Sequence, residues 1–299
     1  MIPPGAWLGL LGGGQLGRMF TMAAQSMGYR VVVLDPGSDS PAGSVADEHI
    51  AADYVDPVAL EQLAARCAAA TTEFENVPAE ALRFLARHCV VSPAAQSVAV
   101  AQDRIAEKAF LVGSGLEVAP FKAIHRVEDV DAGAAALLPG ILKRSRLGYD
   151  GKGQARVQTL EEARAGFVKL GAEACVLERL LSLELELSVV VARGFDGEVV
   201  TWPVAENQHA HGILDVSIVP ARVSATLLEQ ARAAAVTVAS RLDYRGVLCV
   251  EFFVLRDGRL LANEIAPSIN GDCVKRYVNQ LSASCCIHVP IIEISCPEK

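Results

Sequence analysis

"LGLLGGGQLGRMF", residues 8–20, joins an apolar run to an apolar-periodic segment through consecutive glycines. The run has the make-up of a buried strand. The segment after it repeats apolar residues at helical spacing and closes on Gly28. A strand entering a helix through a tight glycine turn is the opening unit of a parallel α/β sheet. Gly12, Gly14 and Gly17 fit G-x-G-x-x-G. Such a turn aims N–H groups and the positive end of a helix dipole at an anion. Asp35 ends the next apolar run, about where a dinucleotide fold places its ribose-binding acid. The turn alone leaves three readings open: a dinucleotide, another phosphate ligand, or a purely structural turn.

Outward from this unit, "YRVVVLDP" reads as a second strand and "DEHIAADYVD" as a short third. "PVALEQLAARCA" is a helix with Pro57 in its first turn, "ATTEFENV" a strand end leading into a loop, and "PAEALRFLARH" another helix. The order β-α-β-β-α-β-α predicts an open parallel sheet with covering helices. A single helical signal runs from about Ala94 to Leu111. Beyond it, "LPGILKRSRLGYDGKGQARV" reads as strand, glycine-rich loop, strand. A helix capped by Thr159 with Glu162 in a capping box follows, then the strand "ACVLERLL". A hairpin turned at Asp196-Gly197, a long helix over "SATLLEQARAAAVTVASRLD" and a hairpin turned at Asp257-Gly258 complete the pattern. The fold class is therefore α/β, α+β overall: a parallel Rossmann-like sheet, then a region of antiparallel hairpins.

The bulk numbers narrow the function. The chain has 299 residues, 52% of them apolar, and a formal net charge of −8. That excess of acid, without a long basic run, argues against nucleic acid and for small metabolites. No apolar stretch is long enough to span a bilayer, and no secretory leader is visible, so a cytoplasmic protein is expected. Cys67, Cys89, Cys175 and Cys249 are scattered singly, as buried thiols in a reducing compartment would be. The absence of a C-x-x-C pair argues against zinc.

Two constellations carry chemistry. Lys143 ends an apolar strand, and "GYDGKGQ" follows at 148–154. Gly148, Gly151 and Gly153 with Lys152 make a loop able to lay backbone N–H groups over polyphosphate, though no P-loop pattern is present. Glu251 and Glu264 lie on the arms of the last hairpin. Pairing about Asp257-Gly258 sets them opposite one another, because 251 + 264 equals 257 + 258. Two facing carboxylates, with the Asn263 amide beside them, suit Mg²⁺ shared with substrate phosphates. Lesser candidates are Glu178 at a strand end, Glu186 alone in an apolar strand, Lys108 on a helix, and the loop pair His209 and His211. Glu73 and Asn76 lie at the C-terminal end of a sheet strand, where open α/β sheets bind ligands.

Together "GGGQLGRM" (12–19), "TEFENVP" (72–78), "QDRIAEK" (102–108), "GYDGKGQ" (148–154), "ARGFDG" (192–197) and "NEIAP" (263–267) resemble the ATP-grasp superfamily. Within it, they are similar to the N5-carboxyaminoimidazole ribonucleotide synthetases. The resemblance runs over about residues 5–267. It implies an ATP-grasp fold behind a substrate-binding pre-ATP-grasp domain, with units at 1–103, 104–190 and 191–267 and a tail at 268–299. It implies ATP, Mg²⁺, bicarbonate and aminoimidazole ribonucleotide as ligands, and a homodimer. By the same carry-over, Lys108 and Lys143 contact ATP phosphates under the loop of Gly148, Tyr149, Asp150, Gly151, Lys152, Gly153 and Gln154. Tyr149 to Lys152 stand nearest the chemistry. Glu178, Arg179, Leu180 and Leu181 line the adenine, Glu186 takes the ribose, and His209 lies near the nucleotide. Glu251 and Glu264 hold Mg²⁺ with Asn263 beside them, and Gln15, Leu16, Glu73 and Asn76 face the ribonucleotide. Asp35 is then expected to hold no cofactor ribose.

After Pro267 the pattern departs from the family. The Arg and His residues that follow "NEIAP" there are missing, and residues 268–299 hold four cysteines against four in the preceding 267. A replaced, frameshifted or truncated C-terminus is the expectation, with ATP and Mg²⁺ binding partly kept and carboxylation weakened or lost. The competing functions are a nicotinamide-dependent oxidoreductase, a catalytically impaired ATP-binding protein, and a formate-using ligase of the same superfamily.

Overall fold

A computed structural model describes residues 2–148, 153–210 and 213–267. The first unit alternates as read: β1 (Trp7–Leu11), α1 (Gln15–Ser26), β2 (Arg30–Leu34), β3 (Glu48–Ile50), α2 (Pro57–Arg66), β4 (Ala69–Thr72), α3 (Ala79–Leu85) and β5 (Val90–Val91). Its strands form one parallel sheet in the order β3-β2-β1-β4-β5. Leu8, Leu10, Val31 and Val33 are buried on one face, and Leu11, Val32 and Leu34 on the other. That two-sided burial is why these strands read as continuous apolar runs.

The segment expected as one helix is two: α4 (Ala95–Ala101) and α5 (Arg104–Gly113). Asp103 causes the break. Its carboxylate accepts from the N–H groups of Ile105 (3.0 Å) and Ala106 (3.2 Å), so it serves as the N-cap of α5. Asp is a poor interior helix residue and a good cap, and the restart turns α5 away from α4.

A four-stranded antiparallel sheet, order β6-β9-β7-β8, follows. It is built from β6 (Phe121–Ile124), α6 (Ala132–Ala135), β7 (Gly140–Arg144), β8 (Gln154–Val157), α7 (Leu160–Lys169) and β9 (Cys175–Arg179). Thr159 caps α7 by accepting the Glu162 N–H, while the Glu162 carboxylate reaches back to the N–H of Gln158. The capping box is thus displaced by one residue.

The last sheet contains β10 (Leu183–Arg193), β11 (Val199–Thr201), β12 (Ala205–Ala210), β13 (Ile213–Ile218), β14 (Gly246–Leu255) and β15 (Leu260–Pro267), with α8 (Ala225–Arg241) in between. Its main path is β13-β12-β10-β14-β15. The unit boundary expected at 190 falls inside β10, all of which joins this last sheet. One face buries Leu187, Val189, Leu248, Val250 and Phe252 against Ala231, Ala235 and Val238 of α8. The other face carries Glu186, Ser188, Glu251 and Glu264. Helix α5 packs against both β9 and β15, and so ties the two antiparallel sheets together. No helix among the described residues is long and apolar enough to cross a membrane.

Candidate active site beside helix α5

The opening glycine turn holds the protein's own acids. The Glu73 carboxylate sits on the N-terminus of α1 and accepts from the N–H groups of Gly14 and Leu16. A Cβ on Gly14 would stand 2.3 Å from the Glu73 Oε1 atom, and one on Gly13 would stand 2.7 Å from the Asp35 carboxyl carbon. Asp35 accepts from the N–H groups of Gly13 and Gly37 and from the Tyr54 hydroxyl, all within 2.8 Å. The glycines therefore admit Asp35 and Glu73 against the backbone. The N–H groups expected to face a ligand anion at Gly14 and Leu16 are spent on Glu73. Asp35 holds the turn, and its hydrogen bonds run to this turn, to Gly37 and to Tyr54. Gln15 is exposed beside it, and Leu16 is buried. Asn76 donates to Glu75, whose carboxyl is raised by burial and by the neighbouring charge of Glu264. The 73–76 loop thus reaches toward Glu264 on β15.

The charged groups of the other expected site gather around α5. On β7 and β9, Ile141 pairs with Glu178 and Lys143 with Val176, which puts Lys143 diagonal to Glu178 on one face. Glu178 Oε2 lies 3.2 Å from Lys143 Nζ and 3.4 Å from Lys108 Nζ. Lys108 and Glu178 are only 1% and 3% exposed, so this carboxylate is a buried bridge between two ammonium groups. Burial alone would lift the Glu178 pKa; Lys143 and Lys108 outweigh it and hold the carboxyl below its usual range. Its Oε1 is buried with no hydrogen-bond partner among the described residues. The N–H groups of Arg179 and Leu180 are spent on the carbonyls of Pro120 and Pro139, which anchor the crossing into the last sheet.

Glu251 and Glu264 stand directly opposite each other, as expected, and Ser188 stands opposite Glu251 on the next strand. The route to that register differs from the simple turn argument. From Phe252 outward the pairing is offset by one, with Phe252 opposite Ala262, and a bulge between Glu251 and Phe252 restores the acids to one row. The bulge leaves Asn263 as the extra residue of β15. Two facing carboxylates need a cation. Arg104 supplies one, with Nη1 at 3.2 Å from Glu264 Oε2. Burial raises the Glu264 pKa, but Arg104 and Lys143 bring it down below the normal value. The second guanidinium branch of Arg104 donates to the Gly148 carbonyl at 3.2 Å, at the foot of the glycine-rich loop. No motif in the sequence marks Arg104 as a site residue. Its signal was helical spacing: Arg104, Glu107 and Lys108 share one face of α5.

On β10, Glu186 stands opposite Asn207, so His209 lies diagonal to it on β12, and His209 Nδ1 is 3.1 Å from a Glu186 oxygen. Gly153 has φ +74° and Gln154 begins β8. Tyr149, Asp150, Gly151, Lys152, His211 and the 268–299 tail lie outside the described residues.

The donor set fits a hard divalent cation shared with phosphate. Glu251 and Glu264 offer carboxylate oxygens in one row, and the Ser188 hydroxyl beside them is buried with no hydrogen-bond partner among the described residues. No group of three or more His, Cys, Asp or Glu side chains gathers as a complete metal cage among the described residues. A site completed by phosphate oxygens needs no such cage.

Comparison with known proteins accounts for both halves. Residues 6–102 match the ribonucleotide synthetase preATP-grasp domain, and residues 109–270 match the ATP-grasp domain. The N5-carboxyaminoimidazole ribonucleotide synthase of Brucella melitensis is 46% identical over 272 residues, 90% of this chain and 75% of that protein. That of Bacillus subtilis is 41% identical over 268 residues, 89% of this chain and 70% of that protein. The Staphylococcus aureus N5-carboxyaminoimidazole synthetase solved with ADP superimposes with a TM-score of 0.86 at 37% identity, covering 93% of this chain and 74% of that one. The Aspergillus clavatus enzyme in complex with ADP and 5-aminoimidazole ribonucleotide gives 0.78 at 28% identity, covering 88% and 69%. The chain belongs to the N5-carboxyaminoimidazole ribonucleotide synthase family of ATP-grasp ligases.

Proposed function

We propose that this chain uses ATP and Mg²⁺ to carboxylate 5-aminoimidazole ribonucleotide with bicarbonate in purine biosynthesis. A bicarbonate oxygen attacks the γ-phosphorus, the bond to the β-phosphate oxygen breaks, and ADP leaves. The resulting carboxyphosphate passes its carbon to the exocyclic amine of the substrate, releasing phosphate and a proton. The observation that carries this reading is the Ser188–Glu251–Glu264 row, with Arg104 against Glu264 and the Lys143–Glu178–Lys108 bridge nearby.

In this reading Glu251 and Glu264 hold Mg²⁺ with Asn263 beside them, and the ion offsets charge on the transferring phosphoryl group when bound. Lys143 faces the phosphates from β7, and Lys108 adds positive potential from behind Glu178. The backbone at Glu178, Arg179, Leu180 and Leu181 borders the adenine. Glu186 takes the ribose hydroxyls, held in place by His209. Gln15, Leu16 and Asn76 border the ribonucleotide, with Glu73 fixing the turn that carries Gln15 and Leu16. The working form is a cytoplasmic homodimer.

The test is ADP release by the full chain with Mg-ATP. Stimulation by aminoimidazole ribonucleotide that requires bicarbonate, and is not replaced by formate, supports the reading. Release supported by formate instead, or no stimulation, contradicts it.

A further inference from the structure

The outer edge of β15 is paired around the bulge by one backbone carbonyl and two side chains. On that edge the Ala262 N–H donates to the Glu117 carbonyl at 2.8 Å, the Lys108 ammonium donates to the Asn263 carbonyl at 3.2 Å, and the Ile265 N–H donates to Glu107 Oε1 at 2.5 Å. The bulge makes the last contact necessary. An antiparallel strand turns its edge groups outward at every second residue. The extra residue at 263 shifts that phase, so the outward N–H after Ala262 belongs to Ile265. A buried N–H without a partner is strongly disfavoured. Glu107 is 1% exposed on α5 and supplies the acceptor. Its other oxygen, Oε2, is buried with no hydrogen-bond partner among the described residues. Arg104 and Lys108 offset part of the cost of burying this acid, and its one hydrogen bond among the described residues is the one to Ile265. The contacts of Glu107 and Lys108 grip the backbone on either side of Glu264, while Arg104 of the same helix face meets the Glu264 side chain.

We infer that Glu107 and Lys108 are positioning residues: they clasp β15 at Asn263 and Ile265 and so set the aim of Glu264 toward the metal. The inference rests on the reading of Glu264 as a Mg²⁺ ligand. It assigns the buried Lys108 a task at the strand edge beyond a general positive potential. Glu107 acts through backbone geometry and touches no substrate.

The readout is the ratio of the ADP dissociation constant in EDTA to that in saturating Mg²⁺, by calorimetry on the full chain. Glu107→Met keeps the length of the side chain and removes the acceptor. It should cut that ratio about tenfold and speed amide exchange at Ile265 in the metal-free, nucleotide-free protein. Glu107→Gln keeps the acceptor and should restore both readouts to parental values. If Glu107→Met does not fold, Glu107→Asp, which draws the acceptor back by one methylene, carries the test through the same ratio and the same exchange, again with a fall of about tenfold. A folded Glu107→Met with parental ratio and parental exchange overturns the inference, as does a Glu107→Gln as impaired as Glu107→Met. Glu264→Gln separates the two readings. If it leaves the ratio unchanged, the metal reading itself fails; if it collapses the ratio while Glu107→Met does not, only the clasp fails.

Discussion

Two places in this chain bring carboxylates close to groups that bind anions, and they are finished differently. At the N-terminus of α1, the anion is Glu73 and the backbone donors are consumed by it. Around α5, acids and cations are interleaved: Lys143, Glu178 and Lys108 in one chain of contacts, Arg104 and Glu264 in another. The first is a closed account of charge within the fold. The second leaves Glu251 and Glu264 in one row on the sheet face turned away from α8. A glycine signature therefore reports how closely a backbone must be approached. What approaches it has to be found elsewhere.

Substitutions at the two places put this contrast to the test. The largest effect is expected at Glu264. Glu264→Gln should lower Mg-dependent ADP release by about 10²-fold or more, the scale of losing a transition-state charge contact, and steady-state kinetics checks it. Next comes Glu178→Ala, which strands Lys108 in a buried site. Breaking a buried pair from one side costs about 3–5 kcal/mol, measured by urea unfolding at pH 7. The same carboxyl makes a pH prediction. Its folded pKa lies below its unfolded value, so its contribution is complete above the ordinary carboxylate range and is lost as pH falls through the folded value. Glu178→Gln should therefore flatten the acid limb of the stability profile; an unchanged limb would count against the buried bridge.

The turn should respond more mildly, and in stability before chemistry. Gly14→Ala sets a methyl group 2.3 Å from Glu73 Oε1 and should cost about 1–3 kcal/mol, read from the thermal midpoint. Glu73→Ala removes the anion at the helix N-terminus and should cost about 1 kcal/mol. Neither variant should change the affinity for Mg-ADP more than twofold. A tenfold loss of that affinity at Gly14 would place nucleotide at the turn and dissolve the contrast.

Much of the fold was legible because its signals are local. Buried apolar runs gave the parallel strands, and Pro57, Thr159 and the Asp-Gly turns marked element ends. The opposition of Glu251 and Glu264 was legible too, although by two offsets that cancel: a turn centred one-half residue earlier, and a bulge at Asn263. Bulges follow from packing across strands, so the arithmetic of one hairpin does not reveal them. The break between α4 and α5 was readable in Asp103, a capping residue inside a helical pattern. The ligand state of the glycine turn was not readable, because Glu73 lies 59 residues from Gly14 and meets it only through the pairing of β1 with β4. The burial of Lys108 was equally hidden. A lysine on a helix reads as solvated until Glu178 and the edge of β15 are known to cover it.

On the proposed function, nucleotide binds at the Glu251/Glu264 row beside α5 and leaves the opening glycine turn alone. Hydrogen–deuterium exchange of the full chain, with and without Mg-ATP, tests it most directly. Exchange should slow in peptides covering 140–144, 175–187 and 246–267, with peptides covering 8–20 unchanged. Protection confined to 8–20, with the β14–β15 hairpin unaffected, would contradict it.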